Sequence, residues 1–151
     1  MAAVDVSTAM VIRKPLDEVA TYASNPDNAP AWYVNIKKVD WRTPRPLRVG
    51  SRVSFVARFL GRQFEYVYEI TEFQFGQRLV MRTAEGPFPM ETSYEWQSVD
   101  SGCTRMTLRN RGNTDGFARL LTPFMGMAVR RANEKDLVRL KSILESRPSV
   151  S

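Results

Sequence analysis

Five polar side chains stand at positions where an apolar one is expected: Tyr66, Tyr68, Thr92, Tyr94 and Asn110. Each shares an alternating register with aromatic, methionine or aliphatic neighbours, in segments that read as half-buried strands. A buried hydroxyl or amide without a partner costs about 1–3 kcal/mol, so each must bond within the protein, to water or to a guest. Were the interior a cavity that folds a reactive chain, Tyr or Asn groups there would polarise its carbonyls for cyclisation or dehydration. A private bond to a neighbouring strand is the simpler use of each. Asn110 is the best single candidate, because it closes the last strand just before a long helix, where a sheet should be opening.

What the chain lacks narrows the chemistry further. It has no histidine and one cysteine, Cys103. Ser-His-Asp and Cys-His catalysis, histidine general bases and nearly all zinc patterns are thereby removed. Any catalysis would use Asp, Glu, Tyr, Lys, Arg or bound water, and no inward carboxylate is evident. Glu91, beside Arg58 or Arg105, points outward by parity and reads as half of a solvated cross-strand pair. Cys103 lies beside a turn with no basic partner and receives no catalytic role. No metal and no cofactor is expected.

The remaining totals describe one ordinary globular domain spanning residues 1–151. A single cysteine allows no internal disulfide, which suits a reducing compartment. The start, MAAVDVSTAMVIRKP, has neither the basic opening nor the apolar block of a signal peptide, so the expected location is the cytoplasm. The formal net charge is +6, but Lys and Arg are spread along the chain. The nearest cluster, Arg42, Arg45, Arg48 and Arg52, lacks a Gly-rich phosphate cradle and basic-aromatic alternation. The charge therefore reads as solvated surface rather than as a nucleic-acid site.

The elements that must position these residues follow in order. Val4, Val6, Thr8, Met10 and Ile12 form one face of a first strand, which Lys14-Pro15 ends. Leu16, Val19, Ala20 and Ala23 form one face of a short helix, broken at Asn25-Pro26. Asp27 can cap a second short helix carrying Ala31, Trp32 and Tyr33, where the two aromatics would lid a cavity or pack over the sheet end. Strands are then predicted over 34–43, 51–60, 64–73, 78–83, 90–96 and 104–111, with turns at Gly50, Gly61, Gly76 and Asp100-Ser-Gly102. Gly86-Pro87-Phe88-Pro89 reads as a rigid loop that either guards the cavity mouth or turns the chain. Alternation throughout argues antiparallel pairing with one wet face.

The last segment, 117–146, reads as one long helix around which the rest is organised. Leu137, Leu140 and Leu144 form an apolar stripe, with Lys135, Arg139 and Lys141 turned elsewhere. Its first half, with Phe117, Leu120, Leu121, Phe124, Met125, Met127 and Val129, has almost no polar side. Such a helix is covered all round, or it borders a space that an apolar guest can fill. Pro123 within it marks either a kink or the true start.

The order of elements resembles the Bet v 1/START-like (SRPBCC) superfamily, and more narrowly its polyketide cyclase/dehydrase-type members. The segments that carry the resemblance are Lys14-Pro15 with Val19, then Asn25-Pro26-Asp27-Asn28 running to Pro30-Ala31-Trp32, Val49-Gly50-Ser51 and Phe59-Leu60-Gly61-Arg62. Gly86-Pro87-Phe88-Pro89-Met90-Glu91-Thr92 and Gly102-Cys103-Thr104-Arg105 complete them. The resemblance implies an α+β helix-grip fold: a curved antiparallel sheet wrapped around the long C-terminal helix, with two short helices after the first strand and an apolar cavity between sheet and helix. It carries no catalytic residue over, because the superfamily has no common catalytic motif.

Given that fold, the expected cavity walls are Phe55, Phe59, Tyr66, Tyr68, Met81, Met90, Thr92, Tyr94, Met106 and Asn110 on the sheet. Phe117, Leu121, Phe124 and Met125 would face them from the helix. Each alone reads first as core; together they read as the wall of a partly open pocket. The expected function is binding of a small hydrophobic ligand (lipid, polyketide or aromatic). A polyketide cyclase or dehydratase working in the same cavity is the alternative, weakened by the missing base, and a basic nucleic-acid or membrane-surface module is a third. Homodimerisation is left open.

Overall fold

The computed structural model describes residues 3–59, 61–86, 89–113 and 122–148. Its elements are β1 (Ala3–Ile12), α1 (Leu16–Ala23), a 3-10 turn (Pro26–Asn28), α2 (Ala29–Trp32), β2 (Ile36–Trp41), β3 (Arg52–Phe59), β4 (Arg62–Gln74), β5 (Arg78–Glu85), β6 (Met90–Asp100), β7 (Cys103–Asn113) and α3 (Thr122–Glu145). The strands form one antiparallel sheet in the order β1-β7-β6-β5-β4-β3-β2. It curls into a half-barrel with α3 against its concave face, the helix-grip arrangement that the order of elements implied.

The curl has a local cause. The ladder slips by a residue between Ile36 and Lys38 in β2, between Ile70 and Glu72 in β4, between Thr83 and Glu85 in β5, and between Ser98 and Asp100 in β6. Each extra residue bends its strand and steepens the twist. The predicted turns hold where glycine allows a left-handed backbone, with φ of 76° at Gly61 and 75° at Gly76.

Alternation placed the inner faces correctly. Val4, Val6, Ile12, Val53, Phe55, Ala57, Leu79, Met81, Tyr94, Trp96, Met106 and Leu108 are all buried. Leu137, Leu140 and Leu144 of α3 have no exposed surface and join Ile12, Trp96, Met106 and Leu108 in the main core. This end is also tied by polar bonds. Lys14 Nζ donates to Arg147 O at 2.7 Å, Lys141 Nζ to Val11 O at 3.0 Å, and Arg13 N to Glu145 Oε2 at 2.8 Å.

Three local expectations change. Asn25, not Asp27, caps the turn before α2, accepting from Asp27 N at 3.0 Å. Asp27 instead takes bonds from Trp41 Nε1 and Arg45. Within the described residues α3 begins beside Pro123, which sits in the first turn, where a missing N–H forfeits no helical bond. Met127 is 63% exposed, so this stretch of α3 is not covered all round.

Candidate functional site

Toward its N-terminal half α3 stops meeting the sheet closely, and a cavity of ≈ 150 Å³ opens between them. The sheet contributes Phe55, Tyr66, Tyr68, Met81, Met90, Thr92, Tyr94 and Asn110, eight of the ten residues predicted from it. Met106 is a correction: it is wholly buried in the main core, too far toward the closed end to reach the space. The Phe59 side chain lies outside the described residues. So do Phe117, Leu121, the Phe88 loop and the side chains of Phe124 and Met125.

Among the described residues α3 contributes Val129, Ala132, Asn133 and Asp136 to the wall, which recur at helical spacing on one face. Sequence reasoning missed Asn133 and Asp136. The usable signal was the leucine stripe itself, which carried back from Leu140 by four and then three residues lands on both. Tyr33 also lines the cavity, whereas Trp32 is fully buried in the core beside it, so only one of the two aromatics borders the guest space.

Asp136 overturns the expectation that no carboxylate faces inward. It is 3% exposed, and its Oδ1 accepts from Val34 N at 2.8 Å. Burial pushes its pKa up to about 7, against the Val34 N–H and the Arg139 charge, which favour the ionised form. The Arg139 guanidinium is itself engaged, donating to Ala31 O at 2.8 Å. These two bonds fasten α3 to the chain on either side of Tyr33, at the cavity wall.

Two hydroxyl pairs line the same space. Tyr33 and Tyr94 share a hydrogen bond with oxygens 2.5 Å apart. Burial raises the pKa of both, so both stay protonated at neutral pH. Burial likewise raises Tyr68, opposed by its hydrogen bonds with Thr92 and Thr83. Thr92 Oγ1 donates to Asn110 Oδ1 at 2.5 Å, and Asn110 Nδ2 donates to Asn133 Oδ1 at 2.8 Å. Asn110 therefore bonds across to the helix rather than only to a neighbouring strand.

The outer surface is a lattice of ion pairs. Glu91 does point outward, but its partners are Arg82 and Arg111, because strand register sets them opposite. Burial works to raise its carboxyl, and the two guanidiniums outweigh that and hold it below the usual range. Within the predicted arginine cluster, Arg42 meets Asp40 and Glu65, Arg45 meets Asp27, and Arg52 meets Glu69. Basic groups so compensated offer little field to a phosphate backbone. No helix among the described residues is long and apolar enough to cross a membrane.

Comparison with known proteins agrees with this architecture. The family model for polyketide cyclase/dehydrase and lipid transport matches residues 3–145. A START superfamily protein from Mycobacterium smegmatis superposes with a TM-score of 0.82 at 11% identity, covering 94% of this chain and 97% of that one. An aromatase/cyclase from Streptomyces sp. R1128 gives 0.81 at 14% identity, covering 96% and 95%. A protein of Nitrosomonas europaea gives 0.70 at 24% identity, covering 95% of each chain. At these identities the likeness is one of fold. No curated protein matches the sequence.

Proposed function

Because the chain belongs to the polyketide cyclase/dehydrase and lipid transport family, we propose that the cavity between the sheet and α3 takes up a small hydrophobic molecule: a lipid, a polyketide or an aromatic. One observation carries this reading, the ≈ 150 Å³ of space walled by Phe55, Leu79, Met81 and Val129. Protein interiors are otherwise packed to crystal density, so a void with apolar walls and a few convergent polar groups is the form of a ligand site. An enclosed apolar cavity of about this size holds a benzene-sized guest. Here a longer molecule would continue outward through the open side.

Titration with the neutral fluorescent probe N-phenyl-1-naphthylamine tests it. Saturable binding is expected, and Ala132→Phe, which places a ring in the cavity from α3, should weaken it by about tenfold or more. Equal binding by both proteins would end the reading.

A second reading, a cyclase or dehydratase in the same cavity, is favoured by Asp136 specifically. A carboxyl with a pKa of about 7 is half ionised at neutral pH. It can take a proton from a carbon beside a carbonyl and return one to a departing hydroxyl, the two proton transfers in loss of water. Asp136→Asn should abolish turnover of a β-hydroxyketone while probe affinity persists. Undiminished turnover by that variant removes this reading alone.

A further inference from the structure

One donor on the cavity wall is left unused among the described residues. Thr92 and Asn110 face each other across β6 and β7. With its Oδ1 receiving the Thr92 hydroxyl, the Asn110 amide presents Nδ2 to α3, and Asn133 meets it with Oδ1. Each bond therefore orients the next, because an amide has one accepting and one donating end. The chain ends at Asn133 Nδ2, which has no partner among the described residues, on a side chain only 2% exposed. Buried donors are nearly always satisfied, and an acceptor on a guest would satisfy this one.

The charge of the wall adds a second constraint. Asp136 lies three residues along the same face of α3, and it is the one charged group among the described residues lining the cavity. Among the described residues no lysine or arginine lines it to receive an anion. An ionised carboxylate or phosphate would meet Asp136 uncompensated in a space of low polarity. A neutral oxygen would not.

We infer that Asn133 forms a subsite for a neutral carbonyl oxygen, so that the cavity selects an uncharged apolar molecule bearing a ketone- or ester-type group over an ionised fatty acid. The inference rests on the cavity being a ligand site and adds the head-group chemistry of what it holds.

Displacement of N-phenyl-1-naphthylamine at about pH 8 by tetralin, 1-tetralone and tetralin-1-carboxylate presents one ring system with no oxygen, a neutral carbonyl and an ionised acid. The ketone should bind about tenfold more tightly than the hydrocarbon, the worth of one net hydrogen bond, with the carboxylate weakest. Asn133→Leu removes the donor at similar volume and should erase the ketone's advantage. Thr92→Val removes the hydroxyl that orients the chain without touching α3, and should shrink that advantage. The tetralin curve of each variant reports whether its cavity is still formed. Equal binding of ketone and hydrocarbon by the wild type overturns the inference. So does an advantage that survives Asn133→Leu, or a carboxylate that binds best. If the probe and all three rings fail to bind, the reading of the cavity as a ligand site falls first, and this inference with it.

Discussion

Asp136 and Glu145 are carboxylates on the same helix, and their environments drive them in opposite directions. At Glu145 burial opposes ionisation, but Lys141 and Arg13 outweigh it and hold the pKa at about 2. At Asp136 burial dominates, and the pKa stands at about 7. The difference mirrors the two ends of the sheet–helix interface. One end is filled by Leu137, Leu140, Leu144, Ile12 and Met106 and clasped by ion pairs at its rim. The other is lined by tyrosines, asparagines and one acid around a space. The closed end is packed and clasped where the open end is not, so a void and a desolvated carboxyl can persist at the open end.

That contrast can be broken in measurable ways. The largest effect belongs to the closed end. Leu140→Ala should lower unfolding free energy by about 2–5 kcal/mol in a denaturant titration, since the leucine has no exposed surface and its cavity cannot fill with water. A loss below about 1 kcal/mol would mean that this end is no better packed than the other.

The next concerns pH. The folded pKa of Asp136 is raised, so its contribution to stability is present in full below the unfolded value near 3.8 and is lost as pH rises through about 7. The folded pKa of Glu145 is lowered, so its contribution is present above 4.5 and is lost as pH falls toward about 2. Asp136→Asn should therefore flatten the stability profile between about pH 4 and 7 and add on the order of 2 kcal/mol at pH 8. Glu145→Gln should flatten only the acid side. An unchanged slope between about pH 4 and 7 in Asp136→Asn would place the carboxyl in water rather than in the wall.

The smallest effect is expected from Tyr94→Phe, which strands the Tyr33 hydroxyl and should cost about 1 kcal/mol in thermal melts. A neutral result would show that a water takes the vacated position.

How far the molecule was legible from its residues depends on the element. Strand faces were readable because side chains alternate with period two and one face must be buried; Val53, Phe55, Met81, Tyr94 and Leu108 all fell inward as expected. Cavity membership was readable for eight residues of the sheet and failed at Met106, since alternation along a strand says nothing about where a helix stops touching it. Glu91 was placed outward by parity, but its partners were misjudged, because cross-strand register depends on bulges and turns that alternation does not encode.

Asp136 and Asn133 show the limit most clearly. Neither was singled out from the sequence, although their spacing from Leu140 already set them on the buried stripe. Residue types and periods by themselves determined a run of antiparallel strands, a closing helix and the inward side of most strands, because these follow from local geometry and the burial of apolar surface; the sheet's curvature was expected only from the family resemblance. Where the helix and sheet part, which polar groups then face the gap, and that one acid among them is held near neutrality were decided only by the tertiary structure. Those properties depend on distances between segments remote in sequence and on the low dielectric they jointly enclose.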